Sequence, residues 1–344
     1  MKLIKPNKLQ PGDKVATISL SWGGAGDEQI RWRYEVGKQR LQSEFGLQVV
    51  EMPHTLSGSD FLYDHPEKRA EDLMLAFKDP SIKAIFSCIG GNESVRLLPY
   101  IDYQVIRDNP KIFVGYSDST VTHFICLKAG ISSFYGPSIL AEFAENVSMF
   151  DYTKQSVRNV LFQSDPIGSI EPSPVWTSQF LAWEQKNKAT QRTVNENTDY
   201  ELLQGKGVVQ GSLIGGCIEV LEMLKGTEVW PPLETWENSI LFFETSEEKT
   251  DPSYVEYWLR NYGSIGILQK AKAIIFGKPY DNQYYQEYKN VIVKVVRDEL
   301  KLDIPIMFNM SFGHTAPMFT IPYGAMAEIE CEDKAFRILE SGVV

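Results

Sequence analysis

The chain has 344 residues, a length whose natural prior is two domains. With 43% hydrophobic and 23% charged residues it carries enough apolar material for substantial cores, which argues against intrinsic disorder. The formal charge of -11, with no basic block anywhere, argues against nucleic acid as a partner.

Val15 to Leu20 is a predicted first strand, entered from the turn Pro11-Gly12-Asp13. A helix is expected from about Glu28 to Phe45, with Gly46 as its stop, and Leu47 to Met52 as a second strand. Pro66 opens the next helix, where its missing N–H costs nothing, and Ala70, Leu73, Met74 and Phe77 recur at core spacing. Ile82 to Ile89 is a third strand, turned by Gly90-Gly91-Asn92 into a helix over Glu93 to Leu98. Ile112 to Val114 is a fourth strand, followed by a tight turn and a helix from Ser119 to Ala129 that Gly130 closes. Ile131 to Tyr135 reads as another strand. This alternation predicts a doubly wound, Rossmann-like parallel sheet over residues 1–165.

Pro166 to Asn197 is broken by Pro172 and Pro174 and is polar around Lys186 to Gln191, so residues 166–199 are expected to be a linker with a substrate-covering loop. A second, smaller α/β domain with a mixed sheet is expected over residues 200–344. Val208 and Val209 precede Gly211, and Gly215-Gly216 leads into a helix over Cys217 to Leu224. Ser239 to Thr245 is a strand, Pro252 to Tyr262 a helix and Ala271 to Phe276 a strand. Tyr284 to Leu300 is a long amphipathic helix, and the strand Ile304 to Met310 leads into Ser311-Phe312-Gly313-His314. Met326 to Cys331 and Ala335 to Leu339 pair as a closing hairpin.

The four cysteines are scattered without C-x-x-C spacing and read as reduced, mostly buried thiols. The four histidines show no H-E-x-x-H pattern and no close His/Cys pairing, so a zinc site is not expected. There is no P-loop, and Gly23-Gly24-Ala25-Gly26 lacks the third glycine of a dinucleotide fingerprint, so no cofactor is expected. The N-terminus lacks an apolar h-region and no apolar run approaches spanning length, so a soluble, cytoplasmic protein without membrane contact is expected.

Ser117 falls where a strand turns sharply into a helix, at the carboxyl edge of the expected sheet. Free N–H groups at the helix start favour negative charge there, as an alkoxide or a tetrahedral oxyanion would carry. This is the logic of a nucleophile elbow, although Ser119 stands where G-x-S-x-G needs glycine. Taken alone, Ser117, Asp118 and Ser119 read as helix caps, as most Ser/Asp clusters before a helix do. Gly90-Gly91 would let backbone approach a ligand closely, with a Gly91 N–H and the Asp118 N–H as two halves of an oxyanion hole, or it is a plain turn. Glu244 and His314 stand at strand ends in the second half. They would supply orienter and base for Ser117, with Glu247 and Glu248 competing for the role of Glu244. His123 is expected to face the core and to be a poor base. Trp183 could stack on a flat ligand ring or fold onto a domain face.

Ile89-Gly90-Gly91-Asn92, Val114-Gly115-Tyr116-Ser117-Asp118, Phe242-Phe243-Glu244 and Phe312-Gly313-His314-Thr315 together resemble the LD-carboxypeptidase family of serine peptidases. The likeness runs over nearly the whole chain, including Leu9 to Asp13. It implies a triad formed between two domains, with Ser117 as nucleophile, Glu244 as orienter and His314 as general base. It implies oxyanion donors at Gly91 and Asp118, substrate contacts at Gly90 and Asn92, a homodimer and no metal. One branch of the family removes the terminal D-alanine from murein tetrapeptides. The microcin C immunity branch hydrolyses the amide joining a C-terminal aspartate to a nucleotide-like group. The loop Phe180-Leu181-Ala182-Trp183-Glu184 is similar to the immunity branch, where a loop tryptophan stacks on the nucleobase. That implies this role for Trp183, with Trp176 as the alternative, and a small peptide or aminoacyl-nucleotide as substrate. A silent sugar- or nucleotide-binding module is the rival from another class, and an intact Ser, Glu and His set argues against it.

Overall fold

The computed structural model describes residues 2–344 and contains two α/β layers built on separate sheets. The first sheet has six strands in the spatial order Ile321–Pro322, Phe134–Tyr135, Ile112–Gly115, Ile82–Ser87, Lys14–Ile18, Gln48–Glu51. All neighbours are parallel except the edge strand Ile321–Pro322, which runs antiparallel to Phe134–Tyr135. The chain runs outward from the first strand to the second, then crosses back to the third, so the order reverses between Lys14–Ile18 and Ile82–Ser87. A crevice opens at the carboxyl ends of strands at such a reversal. Here the Trp22 N–H donates to the Gly90 carbonyl at 3.2 Å across it.

The second sheet has eight strands and is mixed. Val208–Cys217, Ser239–Glu244, Ala273–Gly277 and Ile306–Met310 are parallel neighbours at its centre. Antiparallel strands flank them, Met326–Glu330 on one side and Glu201–Gln204 on the other. Every residue of Ser239–Glu244 is buried, as a strand covered on both faces must be, and this explains its unbroken apolar run.

The helices carry the terminators expected of them. Gly46 and Gly130 both cap in the left-handed region, at φ +70° and +86°, and Pro66 opens Pro66–Lys78. Several boundaries differ from the sequence reading. The first long helix is Arg31–Phe45, because Gly24–Gly26 takes its own short 3-10 turn before it. The glycine-led segment after the third strand is a 3-10 helix, Ser94–Tyr100, with Pro99 in its last turn. The strand expected from Ile131 shortens to Phe134–Tyr135. The helix ending near Leu300 is α-helical only over Tyr285–Val293 and continues as a π-helix, Lys294–Glu299. The proline-broken segment contains paired two-residue strands, Val175–Trp176 and Asn195–Glu196.

The two sheets share one apolar cluster. Val121, Phe124 and Tyr135 from the first half pack with Phe242, Phe312 and Tyr323 from the second. The Tyr135 and Phe242 rings meet edge to face at 5.6 Å, and Tyr323 donates its backbone N–H to the Ser133 carbonyl at 2.8 Å. Close packing of this kind fixes the strand ends of the second sheet relative to the turn after Gly115. That fixed relation positions the site.

Candidate active site

The turn after Ile112–Gly115 holds Ser117 at φ +60°, a left-handed backbone that non-glycine residues avoid at a cost of about 1–2 kcal/mol. The surrounding contacts impose it. The Ser117 N–H donates to the Tyr135 hydroxyl at 3.1 Å, and the Ser117 carbonyl accepts from Thr120 Oγ1 at 2.7 Å. Thr120 Oγ1 also accepts from the Cys217 N–H at 3.2 Å, which ties the turn to the central strand of the second sheet.

Ser117 Oγ lies 3.0 Å from His314 Nε2, and His314 Nδ1 lies 2.6 Å from Glu244 Oε2. The three side chains therefore form one hydrogen-bonded chain across the junction of the sheets, although they are far apart in sequence. Glu244 is buried at the end of its strand, and Gly313 at φ +96° gives it room. A Cβ at Gly313 would sit 2.6 Å from Glu244 Oε2. Of the competing carboxylates, Glu247 reaches the opposite nitrogen, with its Oε2 3.0 Å from His314 Nε2, and Glu248 is exposed. His314 is pushed up from 6.5 to about 9: burial opposes the charged form, but Glu244, its hydrogen bond, Glu247 and Glu219 outweigh it. An imidazole that donates Nδ1–H to a carboxylate and turns Nε2 to a hydroxyl can take that hydroxyl's proton.

Tyr135 is a member of this network that the sequence reading did not find. Its hydroxyl donates to Glu244 Oε1 while accepting from the Ser117 N–H. Burial first, and then the Glu244 charge, raise its pKa well above 10, so it stays a donor. Its only sequence mark is a place at the end of a short strand before Gly136. His123 is fully buried, with Nε2 2.9 Å from the Gly115 carbonyl and Nδ1 2.9 Å from Ser133 Oγ. Burial depresses it to about 3, so it is a neutral structural residue.

Gly90 and Gly91 stand directly against the serine turn. A Cβ at Gly90 would lie 2.8 Å from Ser117 Cβ and 3.3 Å from the Asp118 nitrogen. Gly91 has φ +140°, and a Cβ there would lie 2.4 Å from Ser21 Oγ. The buried Asp118 carboxylate accepts from the N–H groups of Glu93 and Ser94 at 2.9 and 2.8 Å, pinning the two turns together. Asn92 is exposed on this turn and does not line the cavity.

A cavity of about 520 Å³ opens over Ser117 and His314, lined also by Gly90, Gly91, Trp22 and Trp183. The Trp183 ring stacks near Trp22, with centroids 6.1 Å apart, and the Arg33 guanidinium sits 4.8 Å from the Trp183 centroid. Arg33 is buried and lowered to about 10 chiefly by that burial, so it remains a cation, held by the Leu140 carbonyl and Asn146 Oδ1 at 2.5 and 2.8 Å. Trp176 lines a separate, smaller cavity, under Lys278 Nζ at 4.8 Å. Among the described residues no His, Cys, Asp and Glu cluster is arranged for a metal, and no helix is long and apolar enough to cross a membrane.

Two family models, the LD-carboxypeptidase N-terminal domain and the LD-carboxypeptidase C-terminal domain, match residues 15–136 and 210–329. The chain belongs to the LD-carboxypeptidase family. It is 30% identical to the microcin C7 self-immunity protein MccF of Escherichia coli, over 80% of this chain and 78% of that protein. A Bacillus subtilis protein named "Probable murein peptide carboxypeptidase" is 26% identical, over 95% and 94%. Among solved structures, an MccF-like protein from Streptococcus pneumoniae in complex with AMP matches with a TM-score of 0.86 at 33% identity, covering 95% of this chain and 98% of its own. MccF in complex with aspartyl sulfamoyl adenosine matches with a TM-score of 0.85 at 26% identity, over 99% and 100%. Membership makes this chain a hydrolase of the peptidase type, and the family spans both microcin immunity and murein peptide cleavage.

Proposed function

We propose that the protein is a cytoplasmic, homodimeric serine amidase that hydrolyses the amide joining a C-terminal aspartate to a nucleotide-like group, as in detoxification of a processed microcin C. The observation that carries this reading is one cavity lined by both the Ser117–His314 pair and the half-buried Trp183 ring. His314 deprotonates Ser117, whose oxygen attacks the amide carbonyl. The N–H groups of Gly91 and Asp118 receive the oxyanion, and Gly90 lets the carbonyl approach. Protonated His314 gives its proton to the leaving nitrogen, and water then resolves the acyl-enzyme by the reverse route. Glu244 holds the imidazole tautomer, and Trp183 stacks on the base, worth roughly 1–3 kcal/mol.

The second reading is murein tetrapeptide LD-carboxypeptidase action, favoured by the likeness to the Bacillus subtilis protein. Product analysis with aspartyl sulfamoyl adenosine and with a murein tetrapeptide separates the two. The first reading expects cleavage of the nucleotide compound, a loss of roughly 5- to 150-fold in kcat/KM for Trp183→Ala, and no turnover by Ser117→Ala with its fold intact. Preference for the tetrapeptide, undiminished in Trp183→Ala, overturns it.

A further inference from the structure

The contact between Glu247 and His314 has chemical content beyond the triad. A neutral imidazole whose Nδ1–H is given to Glu244 presents a bare lone pair at Nε2. Glu247 Oε2 lies 3.0 Å from that nitrogen as an ion-pair contact, while the hydrogen-bond direction of Nε2 is taken by Ser117 Oγ. The negative charge of Glu247, beside that of Glu244, favours a proton on Nε2, so His314 rests as an imidazolium between two carboxylates. The groups around it are of one sign: Glu244 and Glu247 touch it, Glu219 and Glu142 stand behind, and Tyr116 and Tyr280 are neutral phenols. The nearest cation on the same loop, Lys249, is engaged by Asp281 at 2.5 Å. Among the described residues no lysine or arginine pairs with Glu247.

An imidazolium cannot take a proton from Ser117. Neutralising Glu247 as substrate binds would lower the proton affinity of His314 and free the base. Glu247 is suited to move, since its side chain is 57% exposed while the loop on either side is fastened. Ser246 donates its backbone N–H and hydroxyl to Glu219 at 2.9 and 3.1 Å, and Thr250 Oγ1 donates to the same oxygen at 2.9 Å.

The position of Glu247 defines what it would meet. It is two 3.0 Å contacts from Ser117 Oγ, so its oxygen lies within about 6 Å of the nucleophile. In an amino-acyl substrate poised for attack, the carbonyl carbon stands about 3–3.5 Å from that oxygen. The α-nitrogen is only about 2.5 Å further along the substrate. A free α-ammonium thus falls within reach of Glu247, and a carboxylate is the natural partner for it.

The geometry points to Glu247 as the acceptor for the free α-ammonium of the residue that donates the scissile carbonyl, exchanging His314 for that ammonium as substrate binds. This rests on the amidase reading above and sharpens it. An aminoacyl-nucleotide carries such an ammonium. In a longer peptide the same nitrogen is acylated, has no charge, and leaves Glu247 on His314. The device selects single aminoacyl groups and frees the base only when one is present.

The test measures kcat/KM of wild type and Glu247→Gln on aspartyl sulfamoyl adenosine and on its N-acetyl-aspartyl counterpart. Imidazole titration of the free enzymes is followed by NMR in parallel. Wild type is expected to prefer the free amine by roughly tenfold to a hundredfold. In Glu247→Gln that ratio falls to about one through loss on the free-amine compound, and the His314 titration moves to lower pH. A preference that survives in Glu247→Gln, a parallel loss on both compounds, or wild-type turnover without preference overturns the inference and leaves the amidase reading standing. Wild type that cleaves neither compound but cleaves the tetrapeptide overturns both.

Discussion

Replacing Glu244 by glutamine tests the hydrogen-bonded chain at its most informative point. The change is nearly isosteric, so the buried site keeps its volume. What alters is which atoms donate. The Tyr135 hydroxyl donates to Oε1 of residue 244 and is itself committed as acceptor to the Ser117 N–H. The glutamine carbonyl must therefore take the tyrosine side, which turns the amide NH2 toward His314 Nδ1, now 2.6 Å from Glu244 Oε2. An amide donor requires Nδ1 to accept, so the imidazole proton moves to Nε2 and faces Ser117 Oγ, 3.0 Å away. The base is then in the wrong tautomer. A change of this type costs about 10³–10⁴ in kcat, or about 4–5.5 kcal/mol of barrier. Without the Glu244 charge His314 holds its proton less tightly and is carried as the neutral imidazole, so no buried cation is stranded and the fold should survive. The assay is steady-state turnover of aspartyl sulfamoyl adenosine beside a thermal melt. A Glu244→Gln enzyme that melts normally and stays within tenfold of wild-type kcat would refute the reasoning.

Tyr135→Phe removes one hydroxyl and orphans two buried groups, so a loss of about 2–4 kcal/mol in urea unfolding and a lower kcat are expected. Gly313→Ala places a Cβ 2.6 Å from Glu244 Oε2 at φ +96°; a loss of at least about 1–2 kcal/mol with a fall in kcat is expected, and unchanged turnover would contradict the packing argument. Because His314 is raised to about 9 in the free enzyme, kcat/KM on the N-acetyl-aspartyl compound, which has no titrating amine, should climb with pH through that value as the base loses its proton. The same shift gives stability fully present below the ordinary 6.5 and lost as pH rises through about 9, so denaturation midpoints compared with His314→Gln should converge toward high pH.

The first sheet was legible because its strands are apolar runs separated by helices with plain stop signals, Gly46, Pro66 and Gly130. The serine turn was legible for the same reason: a short buried strand, then Gly115-Tyr116-Ser117-Asp118 opening a helix. What periodicity could not report is pairing across the chain. Ile321–Pro322 joins the first sheet, and Val344 hydrogen-bonds to Pro6 and Lys8, through contacts more than a hundred residues apart that leave no local pattern. Tyr135 was missed on the same ground, since its partners Ser117 and Glu244 lie on other strands' ends. Glu247 was read only as a competitor of Glu244, because sequence gives no means to tell which imidazole nitrogen a carboxylate will face. The loop resemblance pointed to Trp183 with Trp176 as the alternative, and the two rings line separate cavities, Trp183 the one over Ser117.

The central claim is that residue 117 is an activated nucleophile. Peptide mass spectrometry after treatment with a fluorophosphonate probe tests it most directly. One adduct is expected, on the tryptic peptide carrying Ser117, strongly slowed in His314→Gln and absent in Ser117→Ala. A fully folded wild-type protein that stays unlabelled at Ser117 while still hydrolysing its substrate would contradict it.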